Sequence, residues 1–438
     1  MSHPKPPTGG NRLLKLAGMT ASVASDYARG RIKRLLQSED EARADQARQM
    51  QRMGAQIAGT LGELKGAAMK LGQMASMAAD LLPKELSSAL QSLQKEAPPA
   101  AFSVIEQQIQ SEFDQPIERL FETFEPTPFA AASIGQVHRA RVDGQEVICK
   151  VQYPGVDAAV DSDMRHLKLA LLASGMLRVD KKALDAVFGE ISLRMHEELD
   201  YCNESDNVRA FRVFHKRHAF VQIPEVIGHR SSKRVLTLAY APGDNVRDFD
   251  ALAYTPEERN RCGMNLWRAI ESQIYDYGTL HADPNPANFA FKRDGTVIMY
   301  DFGCVKQLAA GVADGYRQLV VKGLAEDYGA VEGTLRALHV RRASGGEVPH
   351  AFYKRVRDWL ALPFLAADTF DFGSARLVQD AWEKLGSESL KYVTAFQPSP
   401  EVVFLNRTLG GHYATLRAMR ASLPVIALLR ERFSELSV

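Results

Sequence analysis

Twenty-three residues, His281 to Gly303, constrain the fold more than any other stretch of this chain: HADPNPANFAFKRDGTVIMYDFG. Asp294-Gly295 sits between two runs rich in apolar and β-branched residues, Phe289–Phe291 and Thr296–Tyr300. That is the strongest short-range signal for a β-hairpin. Antiparallel pairing brings the two ends of such a ribbon together, so Asn288 at its entrance and Asp301 at its exit become neighbours. A carboxamide oxygen and a carboxylate so placed suit one hard cation such as Mg²⁺. Asp283 has no ligand duty in this scheme and is available to orient or deprotonate a hydroxyl.

The rest of the chain has room to support such a site. Its 438 residues, 45% of them apolar, are enough for a large core in two or three domains. A formal net charge of +1 provides no whole-molecule field for nucleic acid, and no nucleic-acid partner is expected. Cys149, Cys202, Cys262 and Cys304 lie far apart and form no CxxC pair, the pattern of a reduced, intracellular protein without a zinc site. The apolar runs near Leu167–Leu177 and Leu423–Leu429 fall short of the roughly twenty residues a membrane span needs. Membrane contact is therefore expected to be peripheral.

Residues 1–10 are rich in Pro and Gly, a composition that predicts disorder. Over residues 1–36, seven Lys or Arg stand against one acid, Asp26, while Leu14, Ala17, Ala21, Ala24, Ala28 and Leu35 recur at helical intervals. The segment reads either as a helix lying on an anionic membrane surface or as a solvated basic helix. From Ser38 to Glu96 the chain is rich in Ala, Met, Gln and Leu and reads as helical. Lys70 and Gln73, in LGELKGAAMKLGQM, share one helical face, with Gly72 permitting close approach.

After Pro98-Pro99 and a short helix near Ser103–Phe113 the texture becomes extended. Phe129–Val151 reads FAAASIGQVHRARVDGQEVICKV, with Asp143-Gly144 as a second hairpin signal. A small-residue loop, Ala130, Ala131, Ala132, Ser133 to Gly135, leads into it, and Lys150 lies on the returning strand. Protein kinases use a loop over the phosphates and a strand lysine in this way. Alanines resist positive φ, so this loop should be stiffer than a glycine-rich one. Residues 156–210 read as largely helical and offer Glu197, Glu198, Asp200 and Glu204; Glu204 shares a face with Glu197 and Asp200 and is assigned to Lys150. Pro224–Tyr240 reads as two strands around a polar turn. Ala241-Pro242-Gly243 follows as a candidate interlobe hinge, and backbone groups from Leu238 through Tyr240 to Ala241 are placed to meet an adenine edge. Helical patterns dominate beyond Thr255, apart from the hairpin.

KLGQ, AAASIGQVH, VICKVQYPGV, EELDYCNES, HADPNPAN and YDFG occur in one order along residues 55–310, with an echo near FLNRTLGG. This set resembles the UbiB/AarF-type atypical kinase-like family. The resemblance implies an α+β, bilobal protein-kinase-like fold with a β-rich N-lobe, a helical C-lobe and an N-terminal helical extension over the active site. It implies that Lys70 and Gln73 project from that extension, that Lys150 and Glu204 form an ion pair, that Asn288 and Asp301 hold Mg²⁺ and that Asp283 is the catalytic aspartate. Asn285 stands where many members have His, and Ala287 where Gly is common. The domain expectation is 1–37 as the basic N-terminal segment, 38–113 as the helical extension, 114–240 as the N-lobe with a helical insertion and 241–438 as the C-lobe.

Two residues after Asp283, where protein kinases carry a lysine that neutralises the transferred phosphate, stands Asn285, and no APE segment follows Gly303 at a plausible distance. Phosphorylation of peptides in trans is therefore not expected. The reading is an ATP- and Mg²⁺-dependent atypical kinase or ATPase in support of isoprenoid-quinone (ubiquinone) biosynthesis, acting on a small or lipid-like molecule. A nucleotide-gated scaffold for a membrane-associated complex is the alternative. The expected partners are a nucleotide, a lipid or quinone precursor, an anionic membrane surface and a second copy of the chain.

Overall fold

A computed structural model describes residues 9–34, single positions between 41 and 56, 100–132, 134–174, single positions between 185 and 196, 199–375, 391–392, 394–397 and 399–436. The chain forms two compact units, Met1–Asp206 with Glu225–Tyr240, and Asn207–Pro224 with Ala241–Val438. Strands used below are β1 (Thr123–Phe124), β2 (Ala130–Ala132), β3 (Gly135–Val142), β4 (Gln145–Gln152), β5 (Val221–Gln222), β6 (Val235–Ala239), β7 (Thr279–His281), β8 (Phe289–Phe291), β9 (Val297–Met299) and β10 (Val305–Gln307).

The first unit is built on a five-stranded antiparallel sheet in the order β1-β3-β4-β6, with β2 also on β3. Asp143 and Gly144 both take positive φ, 51° and 76°, as a two-residue type I′ turn demands. That turn sets the register Val142↔Gln145 through Gly135↔Gln152. Alternation does the rest. Ala140, Val142, Val147, Cys149 and Val151 face one side and pack on Ile105 and Ile109 of helix Phe102–Phe113. Each Val or Ile among them contributes about 1.5–3 kcal/mol through burial. Lys150 falls on the opposite face.

Two local expectations change. Ala130–Gly135 is not an open loop: Ala130, Ala131 and Ala132 form β2 and pair with Val137, Gln136 and Gly135. Pro224–Tyr240 holds one regular strand, β6, while its first half contributes only the bridge Val226↔Leu238. At the N-terminal end, the basic helix Gly9–Arg34 packs along helix Val156–Ser174, burying Met19 and Val23.

In the second unit, helix Pro256–Tyr275 starts at a full capping box, Thr255 with Glu258, and a proline in its first turn. Both devices satisfy or remove N–H groups that a helix start leaves unpaired. Its buried face carries Cys262, Leu266, Ala269, Ile270 and Gln273. Next, β7 pairs with β10, and β8 and β9 form the expected hairpin, joined by β5 running parallel to β9. The hairpin turn is not the two-residue type: Gly295 alone takes positive φ, 93°, and Lys292 N donates to Thr296 O. Among the described residues no helix is long and apolar enough to cross a membrane.

Candidate functional site

In the first unit, Lys150 stands mid-strand on β4 between Val137 of β3 and Leu236 of β6. Its Nζ donates to both carboxylate oxygens of Glu204, at 3.0 and 2.9 Å, and lies 5.0 Å above the Tyr201 ring. Glu204 is 2% exposed; a carboxylate this buried needs its counter-charge. Three contacts set its position. Asp200 Oδ1 accepts Cys202 N at 2.9 Å at the start of helix Tyr201–Phe214, Tyr201 N donates to Lys233 O, and Gln152 Nε2 donates to Leu199 O. Asp200 thus serves as a helix cap.

Around Lys150 the sheet is stiff. A Cβ on Gly135 would lie 2.0 Å from Val151 O, so the strands there approach too closely for any side chain. Leu238 pairs with Ile148. The N–H groups of Ala239 and Tyr240 are committed to Glu225 O and Glu146 O, so an adenine edge would have to be met by other groups of this segment. The Tyr240 ring and Phe129 flank the Arg139 guanidinium, at 4.9 and 4.5 Å. Lys70, Gln73, Ser133, Glu197 and Glu198 lie outside the described residues.

In the second unit, the β7–β10 ladder and the bond from Ala282 N to Cys304 O close the neck of the segment that carries Asp283, Asn288 and Asp301. Asn285 Oδ1 accepts Ala287 N and caps the turn Pro286–Asn288, while Asn245 Nδ2 donates to Pro286 O at 2.8 Å. Asp283 is held through both oxygens: Oδ2 accepts Asn288 Nδ2 at 2.9 Å, and Oδ1 accepts Asn285 N at 3.3 Å. Tyr300 N donates to Asn288 O at 2.8 Å, which sets Asp301 one residue beyond the hairpin's last rung. Asp301 has φ 49°, and its Oδ1 accepts Gly303 N.

Groups that the sequence did not single out hold this segment. His281 Nε2 lies 3.0 and 2.9 Å from the carbonyls of Tyr300 and Asp301. Asn207 Nδ2 donates to Phe302 O. Behind the segment runs helix Pro400–Met419, where a Cβ on Gly411 would lie 2.4 Å from Pro284 Cγ. The neighbouring His412 meets Phe289 edge-on, and burial pushes its pKa down to about 3, keeping it neutral. The Gly410-Gly411 pair was the only sequence signal for this close approach.

With its amide nitrogen given to Asp283, Asn288 has its oxygen to offer a cation, beside the Asp301 carboxylate. Among the described residues no group of three or more His, Cys, Asp or Glu could hold a metal. Mg²⁺ is commonly held by one or two protein oxygens together with substrate phosphates and water. The donor set therefore fits a metal that arrives with a nucleotide.

Comparison with known proteins gives the family and the fold. The chain is 36% identical to the chloroplastic Protein ACTIVITY OF BC1 COMPLEX KINASE 7 of Arabidopsis thaliana, over 55% of this chain and 35% of that protein. It is 28% identical to the mitochondrial atypical kinase COQ8 of Saccharomyces cerevisiae, over 86% of this chain and 75% of that one. It spans about a third of the length of the plant relatives it matches. A Mycobacterium tuberculosis protein solved in complex with erythromycin superposes with a TM-score of 0.66, 26% identity and coverage of 90% of this chain and 98% of that one. The fold is α+β and protein-kinase-like. The ABC1 atypical kinase-like domain matches residues 92–334, and the chain belongs to that family.

Proposed function

We propose that this protein is an Mg²⁺-dependent, ATP-binding atypical kinase or ATPase acting on a small or lipid-like molecule in isoprenoid-quinone (ubiquinone) biosynthesis. The observation that carries the reading is the Asp283–Asn288 pair, 2.9 Å apart, set beside Asp301 at the base of one hairpin. Lys150, its charge fixed by Glu204, would contact the nucleotide phosphates. Asn288 and Asp301 would hold the metal, which when bound neutralises charge on the transferred phosphoryl group. Asp283 would accept the acceptor hydroxyl's proton, its carboxylate oriented by Asn288. Peptides are poor candidates as acceptors. Helix Val312–Leu324 begins nine residues after Gly303, with β10 already paired in between, which leaves little chain for an activation segment. Asn285, spent on capping, supplies no cation.

The test is ATP turnover by the full chain, with and without Mg²⁺, with and without liposomes carrying quinone-precursor mimics. Turnover is expected in the wild type and its loss in Asp301→Asn. Retained Mg²⁺-dependent binding and turnover in Asp301→Asn would sink the reading. A second reading, a nucleotide-gated scaffold, is favoured by the paired, alanine-built β2 and the committed N–H groups of Ala239 and Tyr240. Asp283→Asn separates the two. Chemistry predicts retained ATP binding with function lost in cells; a scaffold predicts full function.

A further inference from the structure

Asp301 is a non-glycine residue in the left-handed region, with φ 49°. Such a conformation costs about 1 kcal/mol or more and persists only where its surroundings hold it. What holds it can be traced inward. The two carbonyls facing His281 Nε2, those of Tyr300 and Asp301, can only be met by an N–H, so this ring carries its proton on Nε2. The main-chain N of His281 in turn donates to Gln273 Oε1 at 2.9 Å. Both residues are buried, Gln273 2% and His281 1% exposed.

The chain of contacts continues, and each link fixes the next. Since Gln273 Oε1 is the acceptor, its Nε2 is the donor, 3.3 Å from His215 Nε2 and 3.6 Å from Met299 Sδ. His215 Nε2 must then be a bare lone pair, with its proton on Nδ1. That Nδ1 lies 3.1 Å from His218 Nδ1, which must accept, leaving the His218 proton on Nε2. From Gln273 to His218 only one arrangement of protons satisfies every contact, and in it His215 and His218 are both neutral. The surroundings favour that state. Burial first, then His218 and Arg217, push the His215 pKa down to about 4. Burial, Arg217 and Arg432 lower that of His218, opposed only by Asp276. Asp276 is itself engaged by Arg217 at 3.0 Å and Arg432 at 2.6 Å. The remaining neighbours, Phe211, Phe220 and Tyr277, are rings.

We propose that Gln273 is a positioning residue for Asp301, acting through His281, and that neutral His215 and His218 lock the Gln273 amide in the one orientation that can do so. This rests on the reading of Asp301 as a metal-holding residue, and it places control of that residue in a buried polar chain running back to the half-exposed His218. Removing a group that orients a metal-holding residue typically weakens metal binding tenfold to a hundredfold.

Two variants of the full chain test it. Gln273→Met removes both links. Gln273→Glu keeps an acceptor for His281 N but turns an acceptor toward His215 Nε2, which must then take up a second proton. Imidazole ¹⁵N NMR reads the relay without any need for turnover. Expected are an Nδ1–H tautomer for His215 and an Nε2–H tautomer for His281 in the wild type at pH 7. In Gln273→Glu the His215 titration should move up by about two pH units or more. Mn²⁺ binding in the presence of ATP should weaken about tenfold or more in Gln273→Met and less in Gln273→Glu. A wild-type His215 protonated on Nε2, or Mn²⁺–ATP binding in Gln273→Met equal to wild type, would overturn the proposal. If the wild type binds no Mn²⁺–ATP while both tautomers are as expected, the functional reading of Asp301 fails and the structural relay stands.

Discussion

With only 12% and 3% of their side chains exposed, Lys150 and Glu204 make a pair whose removal on one side leaves a buried charge without the opposite charge bonded to it here. Breaking such a pair costs about 3–5 kcal/mol, whereas replacing both partners by apolar residues is often close to neutral. Lys150→Met is therefore expected to lower unfolding free energy by about 3–5 kcal/mol. Lys150→Met combined with Glu204→Leu should recover most of that, with nucleotide turnover lost in both. Urea denaturation at constant m-value measures this; equal stability of single and double variants would refute it. The contact itself is assigned from the sequence because a strand lysine needs a counter-charge. The helical phase used to choose Glu204 does not apply, since helix Tyr201–Phe214 starts after Asp200, which caps it rather than sharing a face with Glu204. Gln273, His215 and Asn207 could not be read so. Gln273 meets His281 N, His215 the Gln273 amide and Asn207 the Phe302 carbonyl, and nothing in residue type or spacing marks those partners.

Two glycines of the first unit's sheet, Gly144 and Gly135, separate two reasons for having glycine at all. Gly144 takes φ +76° with nothing within 4 Å of an added Cβ, while at Gly135 that atom would lie 2.0 Å from Val151 O. Gly144→Ala should cost about 1–2 kcal/mol, the penalty of a left-handed L-residue. Gly135→Ala must push backbone off backbone and should cost about 3 kcal/mol, the upper end for overpacking. Chemical denaturation of the two variants measures the gap, and equal costs would show that β3 and β4 yield freely. Elements were legible wherever a turn had its own chemistry: Asp143-Gly144 and the β8–β9 hairpin both follow from Asp-Gly between strand-forming runs. β2 was not, since three alanines carry low strand propensity and become a strand only because β3 offers them a ladder. The first half of Pro224–Tyr240 shows the converse, strand-like residues with only the single bridge Val226↔Leu238.

At the scale of the whole molecule, the division into units was partly hidden, because residues 207–224 belong with the second unit although they precede the last strand of the first. No change of composition marks that excursion; it follows from β5 pairing with β9 across some seventy-five residues of sequence. The basic N-terminal helix poses the same kind of question. Read alone, its apolar positions and six cations suit an anionic membrane, yet Met19 and Val23 are 3% and 0% exposed in a unit where the helix packs on helix Val156–Ser174. Apolar insertion at that point would compete with the unit's own packing, so any attraction to a bilayer rests on charge. Each Lys or Arg near an anionic surface is worth about 1 kcal/mol. Arg12→Gln, Lys15→Gln and Arg31→Gln together should then weaken cosedimentation with cardiolipin-containing vesicles by about a hundredfold, and wild-type binding should fall steeply with salt. The triple variant leaves Met19 and Val23 in place, whereas deleting the helix would bare helix Val156–Ser174 and confound binding with stability. Vesicle binding that survives the triple substitution would mean that the cations of this helix serve solvation and that the membrane reading is wrong.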